Sequence, residues 1–333
     1  MKPRKVTLIP GDLAEHNLVH PILDLLAVAG AQIEWETFGA TPDPVAAARA
    51  ALSPECLHSV RTNGVALRGP FSDPTGEGLN PAVMLRKELG LYAGVRQVHS
   101  TPGIPSRYQD IDLVVIRENT EDVYAGLEHE VHPGVVESLK VVSKTASERI
   151  FRFAFRYARE HGRRKITIVH KANIMKQADG LFLRTGLALA EEYPDIETQS
   201  MIVDNTSMQL VQNPYQFDIL VCGNLYGDII GDLCAGLVGG ANALWGVDYG
   251  DDCAVFAMTH DRPSLLDHPD QANPLPIILP AIQLLQRIGQ AEPAQRMQHA
   301  ILTTLQANRN ALTPDLGGTA GTTEMLRAIE GVL

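Results

Sequence analysis

Two aspartates, Asp228 and Asp232, stand four residues apart in NLYGDIIGD (224–232), inside a run that otherwise reads apolar. On a helix that spacing puts both carboxylates on one face, one turn apart. Like charges so placed destabilise a helix slightly, so the pair needs a compensating reason. A divalent cation would supply one, because Mg2+ commonly takes one or two protein carboxylates together with substrate oxygens and water. From spacing alone the alternative is equally good: one aspartate favoured by a helix N-terminus and one that is simply solvated. A third carboxylate, Asp204, ends the apolar run in MIVDNTSMQL (201–210), and Lys171 ends another in IVHKANIMK (168–176). Tyr124, in ENTEDVYAG, is a candidate proton donor.

Arginines supply the opposite charge. Arg86 and Arg96 lie in NPAVMLRKELGLYAGVR (80–96), and Arg117 directly follows the apolar run DLVVI, where a strand end would face a crevice. Three guanidinium groups could clamp the carboxylates of one small ligand by bidentate hydrogen bonds. For any one of them taken singly, a local surface ion pair is the better reading.

The elements that must position these residues alternate. KVTLIP (5–10), VALRG (65–69), DLVVIRE (112–118), KITIVH (165–170) and FDILVCG (217–223) read as strands. Helices are expected over 14–30, 146–162, 178–193, 275–289 and 293–310. This pattern predicts an α/β fold with a largely parallel sheet. GLVGGANALWG (236–246) follows a helix and reads as a chain reversal, not a phosphate cradle; no GxGxxG follows a strand.

The whole chain sets outer bounds. Its 333 residues suit two domains, and 45% hydrophobic with 20% charged residues is an ordinary globular composition. A net charge of -11 argues against nucleic acid or an anionic membrane as partner, since both demand clustered Lys and Arg. Four cysteines without CxxC or zinc-site spacing read as free thiols in a reducing compartment, so a cytoplasmic location is expected. The apolar run near the N-terminus is too short for a signal peptide, and no apolar run is long enough to span a membrane.

Taken together, LRKELGLYAGVR, DLVVIRENTEDVYAGLEH, VHKANIMKQADGLFL, DNTSMQLVQNPYQFDILVCGNLYGDIIGDLCAGLVGG and DLGGTAGTTEM resemble, in order, the isocitrate and isopropylmalate dehydrogenases, which are β-decarboxylating dehydrogenases of 2-hydroxy acids. The resemblance covers most of the chain. It implies a two-domain, non-Rossmann fold, with residues 1–98 plus 251–333 forming a large domain on the cofactor side and 99–250 a small domain carrying the metal and catalytic residues. It implies a homodimer in which each site borrows residues from the other chain. It assigns Arg86, Arg96, Arg117 and Asn80 to the substrate, and Asp228, Asp232 and a second copy's Asp204 to Mg2+ or Mn2+. Lys171 of the second copy would take the hydroxyl proton, and Tyr124 would reprotonate carbon after CO2 leaves. His260 and Asn273 would contact NAD. The substrate segment looks closer to isocitrate and homoisocitrate members than to isopropylmalate ones.

Two segments depart from the family pattern. GDLAEHN (11–17) keeps Gly11 and Asp12 of a GDGIGPE motif but loses its later glycines and proline. The dinucleotide loop reads AMTHDRPSLLDHPDQANP (257–274): Ala257 replaces a glutamate, Asp261 a glycine, and Leu265 the acid expected on the adenosine ribose. Backbone close to pyrophosphate wants glycine and exposed N–H groups, whereas Asp261, Asp267 and Asp270 add negative charge that Arg262 only partly offsets. The departures make a divergent member with weak NAD binding, or a non-catalytic relative that keeps tricarboxylate and metal. Calorimetric titration of NAD into the substrate-free protein is expected to give a dissociation constant well above the low micromolar range, with NADP weaker still. Low-micromolar NAD binding would show the loop to be competent.

Overall fold

The computed structural model of the chain describes residues 3–11, 18–41, 43–71, 81–240, 244–258, 270–307 and 309–333. The strands are β1 (Arg4–Ile9), β2 (Ile33–Thr37), β3 (Val65–Arg68), β4 (Ala93–His99), β5 (Asp112–Glu118), β6 (Glu128–His132), β7 (Val135–Ser138), β8 (Lys165–His170), β9 (Glu197–Ile202), β10 (Ile219–Cys222), β11 (Trp245–Tyr249) and β12 (Ala254–Met258). The helices are α1 (Val19–Val28), α2 (Pro44–Ala51), α3 (Pro54–Asn63), α4 (Pro81–Glu88), α5 (Lys144–Glu160), α6 (Ala178–Ala190), α7 (Val203–Gln212), α8 (Asn224–Val238), α9 (Leu275–Arg287), α10 (Ala291–Ala307) and α11 (Thr322–Glu330). All five expected strands form, and so do the expected helices, although residues 14–17 of the first lie outside the described residues. Asp204 falls in the first turn of α7, two residues beyond the end of β9. Residues 245 and 246, expected in a chain reversal, instead begin β11.

Ten strands form one sheet in the order β2-β1-β3-β12-β11-β4-β5-β10-β8-β9, and β6 and β7 make a separate hairpin. The two flanks are parallel: β2, β1, β3 and β12 on one side, β5, β10, β8 and β9 on the other. Antiparallel pairings of β12 with β11, β11 with β4 and β4 with β5 join them. This is not the Rossmann order, in agreement with the non-Rossmann fold expected from the sequence. β5 is buried on both faces, and its successive side chains alternate between two cores with the period of two that strands impose. Val114 and Ile116 of β5 face α5 and α6 in one core, while Leu113 and Val115 face the core that includes Ile230 and Cys234 of α8. Arg117 shares the parity of Leu113 and Val115, which directs it to the α8 side.

Helix α5 shows why these segments are helical. Ser143 caps it by accepting from the Ala146 N–H at 3.1 Å, and Ile150, Phe151, Ala154, Phe155 and Ala158 repeat at helical spacing and are buried. All four cysteines are free and buried, and burial pushes Cys56 and Cys234 up to about 12, as befits inert packing thiols. Among the described residues no helix is long and apolar enough to cross a membrane.

Helix α6 approaches α5 and β8 closely at Gly186, where an added Cβ would lie 2.6 Å from Phe151 Cζ and 2.7 Å from Ile168 Cδ1. Alanine gains about 1 kcal/mol of helix propensity over glycine, but overpacking a filled core costs about 1–3 kcal/mol. The clash is expected to win here because both neighbours are fully buried. Gly186→Ala should lower unfolding stability by about 1–2 kcal/mol in a urea titration; an unchanged or raised midpoint would show that the two layers can separate.

Candidate active site

Asp228 and Asp232 lie on one face of α8, as their spacing predicts, and the structure brings three of the other nominated side chains to them. Arg96 Nη2 donates to Asp228 Oδ1 at 2.8 Å and Arg96 Nη1 to Asp232 Oδ1 at 3.0 Å. Arg117 Nη1 donates to the same Asp228 Oδ1, and the Tyr124 hydroxyl donates to Asp228 Oδ2. The repulsion between the two aspartates is therefore relieved within the chain by guanidinium groups. The arginine side chains are 8% and 5% exposed, whereas Asp228 and Asp232 are 35% and 51% exposed. The cations form the floor of the cluster and the carboxylates its open side.

Local geometry sets each member. Arg117 is the penultimate residue of β5, where its Nε donates to Asn224 Oδ1 at 2.8 Å and its guanidinium lies 4.9 Å from the Tyr124 ring centroid. Tyr124 sits in a 3-10 turn, Val123–Ala125, capped by the Asp122 carboxylate, which also receives the Leu225 N–H at 3.2 Å at the start of α8. Burial, with the neighbouring charges of Arg96 and Arg86, pulls Arg117 below the usual arginine range, and Asp228 opposes this. Burial would raise Asp228, but Arg117, the Tyr124 hydroxyl and Arg96 outweigh it and hold the carboxyl below its ordinary value. Burial, then the hydrogen bond to the Asp228 carboxylate, raises Tyr124, so its phenol keeps its proton at neutral pH.

Lys171 and Asp204 stand apart from this cluster and pair with each other, on side chains 28% and 66% exposed. Lys171 follows β8 directly, and its backbone N–H donates to the buried Asp179 at 2.6 Å. Arg86, in the last turn of α4, binds Asp248 of β11 through Nε at 2.8 Å. Asn273 is buried as the cap of α9, accepting from Leu275 N–H and donating to Asp315, each at 2.9 Å. Asp270, expected to add charge near a phosphate, instead caps α11 by accepting from Thr323 N–H at 3.0 Å and Thr323 Oγ1 at 2.7 Å. Asn80, His260, Asp261, Arg262, Leu265 and Asp267 lie outside the described residues.

Two contributors went unnoticed in the sequence: Gly227 and Gly231, each immediately before one of the aspartates. A Cβ on Gly227 would lie 2.6 Å from Arg117 Cγ and 3.2 Å from its Cα; one on Gly231 would lie 2.2 Å from Arg96 Nη1. The glycines are notches that let α8 settle on β4 and β5 with the arginines alongside their carboxylates. The signal was legible in the repeated GD of YGDIIGD. Asp248 and Asn224 were missed as well, and only the folded chain nominates them.

Among the described residues no group of three His, Cys, Asp or Glu could hold a metal ion. The chain offers two oxygen ligands, Asp228 and Asp232, half-exposed on the open side of the cluster. Hard carboxylate donors with room for further oxygens fit Mg2+ or Mn2+, provided the arginines turn to another anion.

The family model for isocitrate/isopropylmalate dehydrogenase matches residues 5–329. The chain belongs to the isocitrate/isopropylmalate dehydrogenase family. Membership places it among dehydrogenases, hence oxidoreductases. It is 44% identical to the NAD isocitrate dehydrogenase catalytic subunit 5 (mitochondrial) of Arabidopsis thaliana, over 98% of this chain and 88% of that one. It is also 41% identical to the NAD isocitrate dehydrogenase regulatory subunit 1 (mitochondrial) of the same plant, over 98% and 89%. A crystal structure of isocitrate dehydrogenase from Methylococcus capsulatus superposes with a TM-score of 0.88 at 39% identity, covering 100% of this chain and 99% of that one.

The notches can be tested in place. In Gly231→Ala the new methyl meets the Arg96 side chain and no backbone, so the fold should hold while citrate binding in the presence of Mg2+ weakens about tenfold, or about 1.4 kcal/mol. In Gly227→Ala it meets the backbone of β5, so the urea midpoint should fall as well. Normal citrate affinity in Gly231→Ala would refute the notch.

Proposed function

We propose that the chain catalyses metal-dependent, NAD-linked oxidative decarboxylation of a 2-hydroxy acid with two or three carboxylates, isocitrate or a close analogue such as homoisocitrate. The observation that carries this reading is the network of Arg96, Arg117, Asp228, Asp232 and Tyr124 at the antiparallel centre of the sheet. When bound, Mg2+ or Mn2+ would supply Lewis acidity at the C2 oxygen, and NAD would accept the hydride. Arg96 and Arg117, with Arg86, would hold the carboxylates by bidentate hydrogen bonds. Asp228 and Asp232, released from those arginines, would face the cation. Lys171 Nζ would take the hydroxyl proton, and Tyr124 would return a proton to the carbon that loses CO2. The proton held on Tyr124 suits that donor role.

Lys171 and Asp204 lie outside the network of their own chain, so we assign them to the site of a second copy. Support comes from exposed apolar side chains beside them and beside the aspartates: Ile174 is 70% exposed and Ile229 54%. Val135 and Val136 of the β6–β7 hairpin are 50% and 64% exposed and would belong to the same interface. The four buried thiols suit a reducing compartment such as the cytoplasm. The division into 1–98 plus 251–333 and 99–250 is our reading of the two domains, closing across the joining strands.

A second reading is supported by the sequence of 257–274: a regulatory relative that binds a tricarboxylate and metal but not NAD effectively. Two measurements on one preparation separate them. With isocitrate, NAD and Mg2+, NADH should form, and EDTA should abolish it; isocitrate binding without NADH under saturating NAD would favour the regulatory role. Sedimentation should give a two-fold dimer at micromolar concentration, and a stable, active monomer would overturn the shared site.

A further inference from the structure

Asp248 has no role in the reaction as proposed, yet it lies on the same face of the sheet as Arg117, with β4 between them. Its Oδ2 accepts from Arg86 Nε at 2.8 Å and its Oδ1 from Asn119 Nδ2 at 2.9 Å. The Arg86 and Asp248 side chains are 21% and 17% exposed, so water screens the pair only in part. The strand registers place Asp248 opposite Gly94 of β4, and Gly94 opposite Arg117 of β5. Gly94 makes the room: an added Cβ there would lie 2.9 Å from the Asn119 amide and 3.2 Å from Asp248 Oδ1. Burial would raise the Asp248 carboxyl, but the charge and hydrogen bond of Arg86 outweigh it, so the group is ionised at neutral pH.

This aspartate alters the charge that a ligand meets. Three arginines, Arg86, Arg96 and Arg117, pair with three carboxylates, Asp228, Asp232 and Asp248, and Arg68 also acts on Asp248. Asp248 removes one unit of the positive charge that a further ligand carboxylate would meet, so its loss favours three carboxylates over two.

We propose that Asp248 is a specificity-determining residue: by taking the Nε edge of Arg86 and offsetting its charge, it lowers the advantage of a three-carboxylate hydroxy acid over a two-carboxylate one. The proposal rests on the reading of the cleft as a hydroxy-acid site. It gives the site a weaker preference for three carboxylates over two than a clamp of three uncompensated arginines would have.

The test is calorimetric titration of isocitrate and of malate, each with Mg2+ and without dinucleotide, into the full-length protein. Asp248→Asn keeps the shape and can still accept from Arg86, but removes the charge. It should raise the isocitrate-to-malate affinity ratio about five- to tenfold, an effect that shrinks at high salt. Arg86→Gln removes the cation instead and should lower that ratio, which keeps the proposal decidable if Asp248→Asn fails to fold by circular dichroism. Equal changes for both acids in either variant would overturn the proposal alone. A wild-type protein that binds neither acid would overturn the hydroxy-acid reading and the proposal with it.

Discussion

The ion pair between buried Arg117 and partly exposed Asp228 is the constraint from which most of the site follows. Arg117 is 4% exposed, and a guanidinium taken that far out of water is tolerable only with a carboxylate against it. Removing the carboxylate would strand a guanidinium that is itself buried, a larger cost than the few tenths of a kcal/mol, about 0.2–0.5, lost by setting two aspartates one turn apart on a helix. The aspartate spacing on α8 is therefore the minor cost within a larger favourable arrangement.

Holding that pair in register requires α8 to sit against β5 with almost no side chain between them, hence Gly227. It also requires the start of α8 to be fixed. Asn224 meets Arg117, and Asp122 receives the first N–H groups of both the Tyr124 turn and α8. Asp122 does this with a φ of 75°, in the region that disfavours side chains. Two hydrogen bonds to its carboxylate and Lys140 at 3.6 Å offset the strain, which sits directly before the turn that carries Tyr124.

A cleft that neutralises itself in this way has a consequence for binding. A carboxylate ligand alone would compete with Asp228 for the arginines and leave that aspartate unpaired. A divalent cation alone would compete with the arginines for Asp228. Arriving together, as the proposed function requires, the two would exchange the ion pairs of Asp228 and Asp232 and strand no buried charge.

The sequence by itself determined the α/β class, the five strands with strong β-branched runs, the amphipathic helices, and the family with its arginine, aspartate, lysine and tyrosine positions. Those features rest on local periodicity and on short motifs, which need no knowledge of what lies across the sheet. It did not disclose the antiparallel centre. Strands β4 and β11 carry Gly94, Arg96, Gly246 and Asp248 where a strand pattern wants apolar residues, because they line a site as well as a core. Nor could spacing decide between a cation and an arginine as the partner of Asp228, since Arg96 and Arg117 are more than a hundred residues away in the chain and meet it only through the packing of α8 on β4 and β5. The commitment of Asn273 and Asp270 to helix caps, and of Asp248 to Arg86, was likewise decided by tertiary structure. A polar side chain's partner is whatever the fold brings within 3 Å of it, and no local pattern encodes that.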